Sequence, residues 1–161
     1  MTIGFILNGE DVVVRTEAGV RLIDILRGNF GLLGSKTSCL EGQCGACTVI
    51  FNGQVSPACL LPAFKIRGSE IITIEGFSQT IEYHEIMDGF RLANLGNCGY
   101  CMPGKILCTS ALLDRTLSPS KKEILIGFSG IKCRCTNVEN LLEAVNIISG
   151  IRHKRLYGRS S

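Results

Sequence analysis

The sequence predicts an α+β N-terminal domain over residues 1–76, followed by a C-terminal four-helix bundle over residues 80–161. Short β-like runs separated by Asn-Gly pairs fill the first half, whereas apolar residues with helical spacing fill the second. The cysteines form one tight group in each half. A chain of 161 residues is long enough for two small domains of this kind.

Two Asn-Gly pairs in the first half predict β-hairpins. Each pair follows a short apolar run, and Asn-Gly supplies the two positive φ angles that a type I′ turn needs. A short amphipathic pattern between the hairpins predicts one helix. The predicted elements are hairpins around Asn8-Gly9 and Asn52-Gly53, a helix at 22–26, a last strand at 71–74, and a short polar junction at 75–80.

The second half predicts four helices that share one apolar core. Pro103 fits the first turn of a helix, because that turn leaves its N–H groups unpaired and proline lacks one. Ser120 and Thr136 each have a glutamate three residues later, which is the spacing of a capping box. The predicted helices cover 83–95 and 105–113 and begin after Ser120 and after Thr136.

Composition excludes several function classes. A net charge of +3, with basic residues scattered until Arg152, gives no basis for nucleic-acid binding, and no apolar run is long enough for membrane insertion. The N-terminus lacks a basic region and a small-residue cleavage site, so no secretory signal is predicted and the expected location is cytoplasmic. In a reducing compartment, nine clustered cysteines indicate metal binding rather than disulfides.

The first cysteine group has the spacing C-x4-C-x2-C, with a fourth cysteine eleven residues later. This is the spacing of plant-type 2Fe–2S ligation. Gly42 and Gly45 allow backbone amides to curl towards negatively charged sulfurs. Zinc is the alternative, but zinc sites favour paired short spacings, and Cys59 taken alone also fits a core position. The candidate ligands are Cys39, Cys44, Cys47 and Cys59.

The second cysteine group consists of two short pairs, Cys98 with Cys101 and Cys133 with Cys135. Each pair precedes a predicted helix, so two helix N-termini can direct N–H groups towards one negative cluster. A thioredoxin-like role for the first pair is disfavoured, because no strand precedes it and a second pair exists. Cys108 lies roughly 10 Å along the helix from Cys101, at ~1.5 Å per residue, and is predicted to belong to the core.

These motifs resemble the small iron–sulfur subunit of the xanthine dehydrogenase family, the molybdenum hydroxylases. The resemblance is carried by Gly34–Val49, Cys98–Gly104 and Cys133–Thr136, and it extends to about Ser149. It implies a plant-ferredoxin-like (β-grasp) domain followed by a four-helix bundle. It also implies two 2Fe–2S clusters, one on each cysteine set.

The resemblance further implies an electron-transfer subunit of a heteromeric oxidoreductase, in which this chain alone turns over no substrate. The expected partners are a large molybdopterin subunit near the bundle cluster and an FAD-binding medium subunit. The resemblance is also compatible with a dimer of the heteromer. A free-standing two-cluster ferredoxin-like carrier is the alternative. A pI of about 8.4 and 19% charged residues fit it poorly, because transient carriers use small, charged, often acidic surfaces. A redox-sensing regulator lacks any recognisable DNA-binding element.

Asn97 and Cys135 are the residues expected to face the pterin. The family usually has Gln where Asn97 stands, and Asn keeps the amide on a side chain one methylene shorter. A cap on the turn before Cys98 is the alternative role for Asn97. Lys132 and Asn137 also depart from the family's usual residues, on the same side of the bundle.

The C-terminal segment is strongly basic. Five of its eight residues, between Arg152 and Arg159, are Arg, Lys or His. The sequence predicts a solvated tail here. A docking contact to an acidic partner surface is the alternative.

Overall fold

The computed structural model describes residues 1–95 and 98–158. A five-stranded mixed sheet with one helix is followed by a helical region. The strands are β1 (Thr2–Leu7), β2 (Glu10–Arg15), β3 (Thr48–Phe51), β4 (Gln54–Pro57) and β5 (Glu70–Ile72). The helices are α1 (Leu22–Gly28), α2 (Ile74–Phe77), α3 (Ile81–Leu92), α4 (Met102–Arg115), α5 (Lys121–Gly127) and α6 (Val138–Tyr157), with 3-10 turns at Ala58–Leu60 and Ala63–Lys65.

The sheet has the strand order β2-β1-β5-β3-β4, with β1 and β5 parallel and the other neighbours antiparallel. Both predicted hairpin turns are confirmed: Asn8 and Gly9 have φ of 53° and 86°, and Asn52 and Gly53 have φ of 48° and 79°. Helix α1 buries its apolar face against the sheet. This arrangement leaves the long segment between α1 and β3 free to carry cysteines.

Helices α3 to α6 enclose a second apolar core, so the predicted bundle is confirmed. Ser120 and Glu123 form the predicted capping box at the start of α5. Helices α3 and α6 pack closely at Gly89, where a Cβ atom would lie 2.1 Å from Ile148 Cγ1. Helix α4 also packs against β3 and β4, and Ile50 and Ile72 of the sheet pack against the bundle core.

The structure corrects three local predictions. The last strand ends at Ile72, and Ile74 instead begins the short helix α2, which brings Phe77 into the bundle core. The cap of α6 is Asn137 rather than Thr136, because the Asn137 side chain accepts a 2.7 Å hydrogen bond from the Asn140 N–H. The basic tail is helical to Tyr157.

Arg152 is buried at the start of the basic segment, whereas residues 153–158 are exposed, so the predicted solvated tail is confirmed beyond Arg152. The Arg152 guanidinium forms an ion pair of 2.9 Å with Asp114 and one of 3.5 Å with Glu85, and Arg155 pairs with the same Glu85. These contacts hold the end of α6 on the bundle. Within the described ranges, no helix is long and apolar enough to cross a membrane.

Candidate metal centres

The loop between α1 and β3 presents three cysteines of the first group. Leu40, Gly42 and Gly45 have positive φ, of 58°, 72° and 76°, which coils the backbone inside a few residues. As a result, amide groups point at sulfur. The N–H groups of Glu41 and Gln43 each lie 3.4 Å from Cys39 Sγ.

The loop that carries Cys44 and the 3-10 turn that carries Cys59 bring the four cysteines of the first group together. The Ala46 N–H lies 3.5 Å from Cys44 Sγ, and the thiols of Cys39 and Cys44 are hydrogen-bonding neighbours. Cys59 lies in the 3-10 turn Ala58–Leu60, where the Ala58 N–H bonds the Cys47 carbonyl at 3.1 Å. Cys47 and Cys59 are both buried and in mutual contact. The four sulfurs therefore form two adjacent pairs.

The second group also forms two adjacent pairs. Each pair combines one cysteine that precedes α4 with one cysteine that precedes α6. Cys98 contacts Cys135, and Cys101 contacts Cys133. Cys101 is the N-cap of α4, and its carbonyl accepts a 3.1 Å bond from the Lys105 N–H. Cys98 and Cys135 are exposed, whereas Cys101 is buried.

The thiols experience opposing electrostatic environments. The Glu41 amide, with that of Gln43, lowers the pKa of Cys39 to about 6. Burial raises the pKa of Cys47 to about 12 and that of Cys101 to about 11. Burial also raises the pKa of Cys133, but hydrogen bonds from Thr136 and Cys101 outweigh it and lower that pKa to about 6. A bound metal cation displaces the remaining thiol protons, because thiolate is the ligand form.

These features fit a two-iron cluster on each set. Each iron of such a cluster takes two protein thiolates, which matches the paired arrangement, and the amides that point at sulfur suit its negative charge. Among residues 1–95 and 98–158, no group of three or more His, Cys, Asp or Glu side chains is placed to hold a metal ion. The case for a two-iron cluster therefore rests on the cysteine spacing and on the amides that point at sulfur.

The two cysteine sets lie against each other. The Lys132 N–H, next to Cys133, donates a 3.1 Å hydrogen bond to the Cys44 carbonyl. A Cβ atom on Gly104 of α4 would lie 2.4 Å from the Gly45 carbonyl oxygen, so only glycine fits there. The Tyr100 hydroxyl donates a 2.6 Å bond to the Thr37 carbonyl. The backbones around the two sets are thus in direct contact.

The structure places Cys108 but does not describe Asn97, and it adds one residue near the bundle cysteines. Cys108 is buried in the bundle core, as predicted, and burial raises the pKa of its thiol to about 11. Asn97 lies outside the described residues. Sequence reasoning missed Lys105, which is buried beside Cys133 and Thr136. The sequence contains a signal for this placement: Lys105 is four residues after Cys101, so the two residues face the same side of α4.

Family comparisons agree with this geometry. The family model described as 2Fe-2S iron-sulfur cluster binding domain matches residues 5–70, and the one described as 2Fe-2S binding domain matches residues 73–146. The nicotinate dehydrogenase small FeS subunit of Eubacterium barkeri is 43% identical over 145 residues, which cover 90% of this chain and 92% of the relative. The chain belongs to the small iron–sulfur subunits of the xanthine dehydrogenase family. The predicted family, the two 2Fe–2S clusters and the role as an oxidoreductase subunit are therefore confirmed.

Two further family relatives extend over nearly the whole chain. One of the nicotinate dehydrogenase subunits of Pseudomonas putida is 37% identical over 153 residues, which cover 95% of this chain and 98% of the relative. The crystal structure of quinoline 2-oxidoreductase from Pseudomonas putida 86 contains a chain with a TM-score of 0.87 and 32% identity, covering 98% of this chain and 97% of that one. The predicted fold, a β-grasp domain followed by a helical bundle, is thereby confirmed.

Proposed function

We propose that this chain is the electron-relay subunit of a heteromeric molybdenum hydroxylase, carrying electrons between a molybdopterin subunit and an FAD subunit. The observation that carries the proposal is the direct backbone contact between two complete cysteine sets, from Cys44 to Lys132. When bound, a 2Fe–2S cluster takes up and returns one electron. Two such sites in contact suit a relay better than a single storage site.

The proposed ligands are the eight cysteines outside the bundle core. In the β-grasp domain, the amides of Glu41 and Gln43 would stabilise thiolate charge on Cys39. In the bundle, the first turn of α4 begins directly after Cys101 and directs its free N–H groups to that side. The proposed sets are Cys39, Cys44, Cys47 and Cys59, and Cys98, Cys101, Cys133 and Cys135.

The exposed side of the bundle set is the proposed face towards the molybdopterin subunit. Cys98 and Cys135 are exposed there, and Tyr100 and Val138 are 45% and 46% exposed beside them. A cluster edge with apolar neighbours suits a permanent partner that excludes water. Asn97 and Cys135 are the residues proposed to face the pterin. The cytoplasmic location and the domain division at 76–80 remain predictions.

A native purification tests the assembly. We expect the chain to elute with a large subunit that contains molybdenum, and with a flavin-containing subunit, in a heteromer or a dimer of heteromers. A lone species of 17.4 kDa that carries both clusters and exchanges electrons with soluble partners would instead support the free-standing carrier.

A further inference from the structure

Lys105 is a buried cation at the bundle cysteine set. It lies in the second turn of α4 and is 3% exposed. Its Nζ donates a hydrogen bond to Thr136 Oγ1, and that hydroxyl lies 3.6 Å from Cys133 Sγ. Lys105 is also among the groups that lower the pKa of the Cys133 thiol. The side chain therefore points from α4 to the segment that carries Cys133 and Cys135.

The described residues give this ammonium no carboxylate partner. All five ion pairs found in ranges 1–95 and 98–158 have arginine as the cation. The cavity beside Lys105, of about 170 Å³, is lined by Cys133, Thr136, Asn137 and apolar side chains, with no acidic residue. Burying an ammonium without a counter-charge is strongly unfavourable. Among the described residues, the Cys133 sulfur beside Thr136 offers the compensating negative charge.

We propose that Lys105 is the counter-charge of the bundle 2Fe–2S cluster and raises the reduction potential of that cluster. The inference rests on the proposed ligand set Cys98, Cys101, Cys133 and Cys135. Reduction adds one electron and no proton, so the charge beside the ammonium becomes more negative by one unit. A fixed cation stabilises the reduced state more than the oxidised state, because the attraction grows with that charge.

The position of Lys105 makes the effect selective. Its hydrogen bond to Thr136 joins α4 to the Cys133–Cys135 segment, and the same hydroxyl lies 3.6 Å from Cys133 Sγ of the bundle set. Burial raises the pKa of Cys101 and the Cys98 thiol raises that of Cys135, and in both cases the Lys105 charge opposes the rise. Among the described residues, no hydrogen bond joins the Lys105 side chain to Cys39 or Cys44, whose sulfurs lie near backbone amides of their own loop.

The test is an anaerobic redox titration of the natively assembled protein with dithionite and mediators, followed by EPR. In Lys105→Met, which removes the charge and keeps an unbranched side chain only one heavy atom shorter, the midpoint potential of the bundle cluster should fall. The expected change is at least about tenfold in the equilibrium constant for reduction, or about 59 mV for a one-electron couple. The β-grasp cluster in the same molecule is the internal reference and should keep its potential. Lys105→Arg should restore the wild-type value.

Lys122→Met is the matched control, because Lys122 is an exposed lysine on α5 of the same domain. It should leave both potentials unchanged. The proposal is overturned if Lys105→Met holds both clusters at wild-type potentials, or if Lys105→Arg shifts the bundle cluster as far as Lys105→Met does. If Lys105→Met loses the bundle iron, retention of that iron in Lys105→Arg supports the counter-charge, and its loss there overturns it. Cys101→Ala tests the ligand set separately, by loss of the bundle signal.

Discussion

The backbone N–H of Lys132 donates a 3.1 Å hydrogen bond to the carbonyl oxygen of Cys44. Cys44 belongs to the first cysteine set, and Lys132 is covalently joined to Cys133 of the second. One peptide hydrogen bond therefore connects the two sets. Gly45 allows the two backbones to approach this closely, because a Cβ atom there would lie 2.8 Å from the Gly130 carbonyl oxygen. Backbone contacts thus help to fix the relative placement of the two sets, together with the hydrogen bond from the Tyr100 hydroxyl to the Thr37 carbonyl.

Gly104→Ala should disturb this contact. Its Cβ atom would lie 2.4 Å from the Gly45 carbonyl oxygen, and backbone can relieve the clash only by moving. We expect a loss of about 1–3 kcal/mol in the free energy of unfolding, and a weaker magnetic interaction between the two reduced clusters by EPR. Gly150→Ala on α6 is the control, because nothing lies within 4 Å of its Cβ position, and it should be neutral or slightly stabilising. A Gly104→Ala protein with unchanged Tm and unchanged spectra would contradict this.

Arg152→Met should destabilise the bundle. The Arg152 and Glu85 side chains are 4% and 7% exposed, so the substitution removes a cation from a buried ion-pair network. We expect a loss of roughly 3 kcal/mol, at the low end for breaking a buried pair, because Arg155 still pairs with Glu85. Chemical denaturation measures it. Arg91→Met removes an exposed pair with Asp88 and should change stability by less than about 0.5 kcal/mol. Equal effects in the two variants would show that the end of α6 is not held by this network.

Glu75 should make stability depend on pH. Burial raises the pKa of Glu75, but hydrogen bonds from the Thr73 hydroxyl and the Gly34 N–H outweigh it and lower the pKa below its ordinary value. The folded carboxyl therefore binds its proton less readily than the unfolded one. Its contribution is complete above about pH 5 and is lost as pH falls through the folded pKa. Glu75→Gln should thus be less stable than wild type at pH 7, with the difference shrinking towards low pH.

Thermal melts of both proteins over that pH range measure the effect of Glu75. Glu143→Gln, an exposed position on α6, should follow wild type at every pH. A Glu75→Gln protein that parallels wild type across the whole range would contradict the assignment.

Cys108→Ala should leave both clusters in place. Cys108 is packed in the bundle core, so the substitution removes only a small buried group. We expect a loss of about 1 kcal/mol in the free energy of unfolding with unchanged iron and sulfide content. Metal analysis and denaturation measure the two quantities. Loss of one cluster would show that Cys108 is a ligand and that the proposed bundle set is wrong.

Local signals explain which parts of the fold were predictable from sequence. The Asn8-Gly9 and Asn52-Gly53 turns need positive φ angles that few residues adopt, so their sequence specifies the hairpins directly. The cysteine spacings likewise reflect a chemical requirement that lies within a few residues. The cap of α6 was misplaced by one position, because Thr136 and Asn137 both suit a cap and Thr136 is recruited by Lys105 instead.

Long-range contacts account for what sequence reasoning missed. Arg152 occurs in a basic run that is typical of a solvated tail, and only its partners on α3 and α4 make burial favourable. Lys105 is buried for the same kind of reason, since its partner Thr136 is 31 residues away. The charge compensation that permits either burial depends on tertiary placement, which no local pattern encodes.

The most direct test of the account is iron, acid-labile sulfide and EPR analysis of wild type, Cys44→Ala and Cys101→Ala, purified anaerobically as natively assembled. Because the two cysteine sets are complete and separate, wild type should contain about four iron and four sulfide per chain, with two distinct 2Fe–2S signals on reduction. Cys44→Ala should lose only the β-grasp signal, and Cys101→Ala only the bundle signal. Zinc in place of iron, a single cluster in wild type, or loss of the same signal in both variants would contradict the two-centre relay.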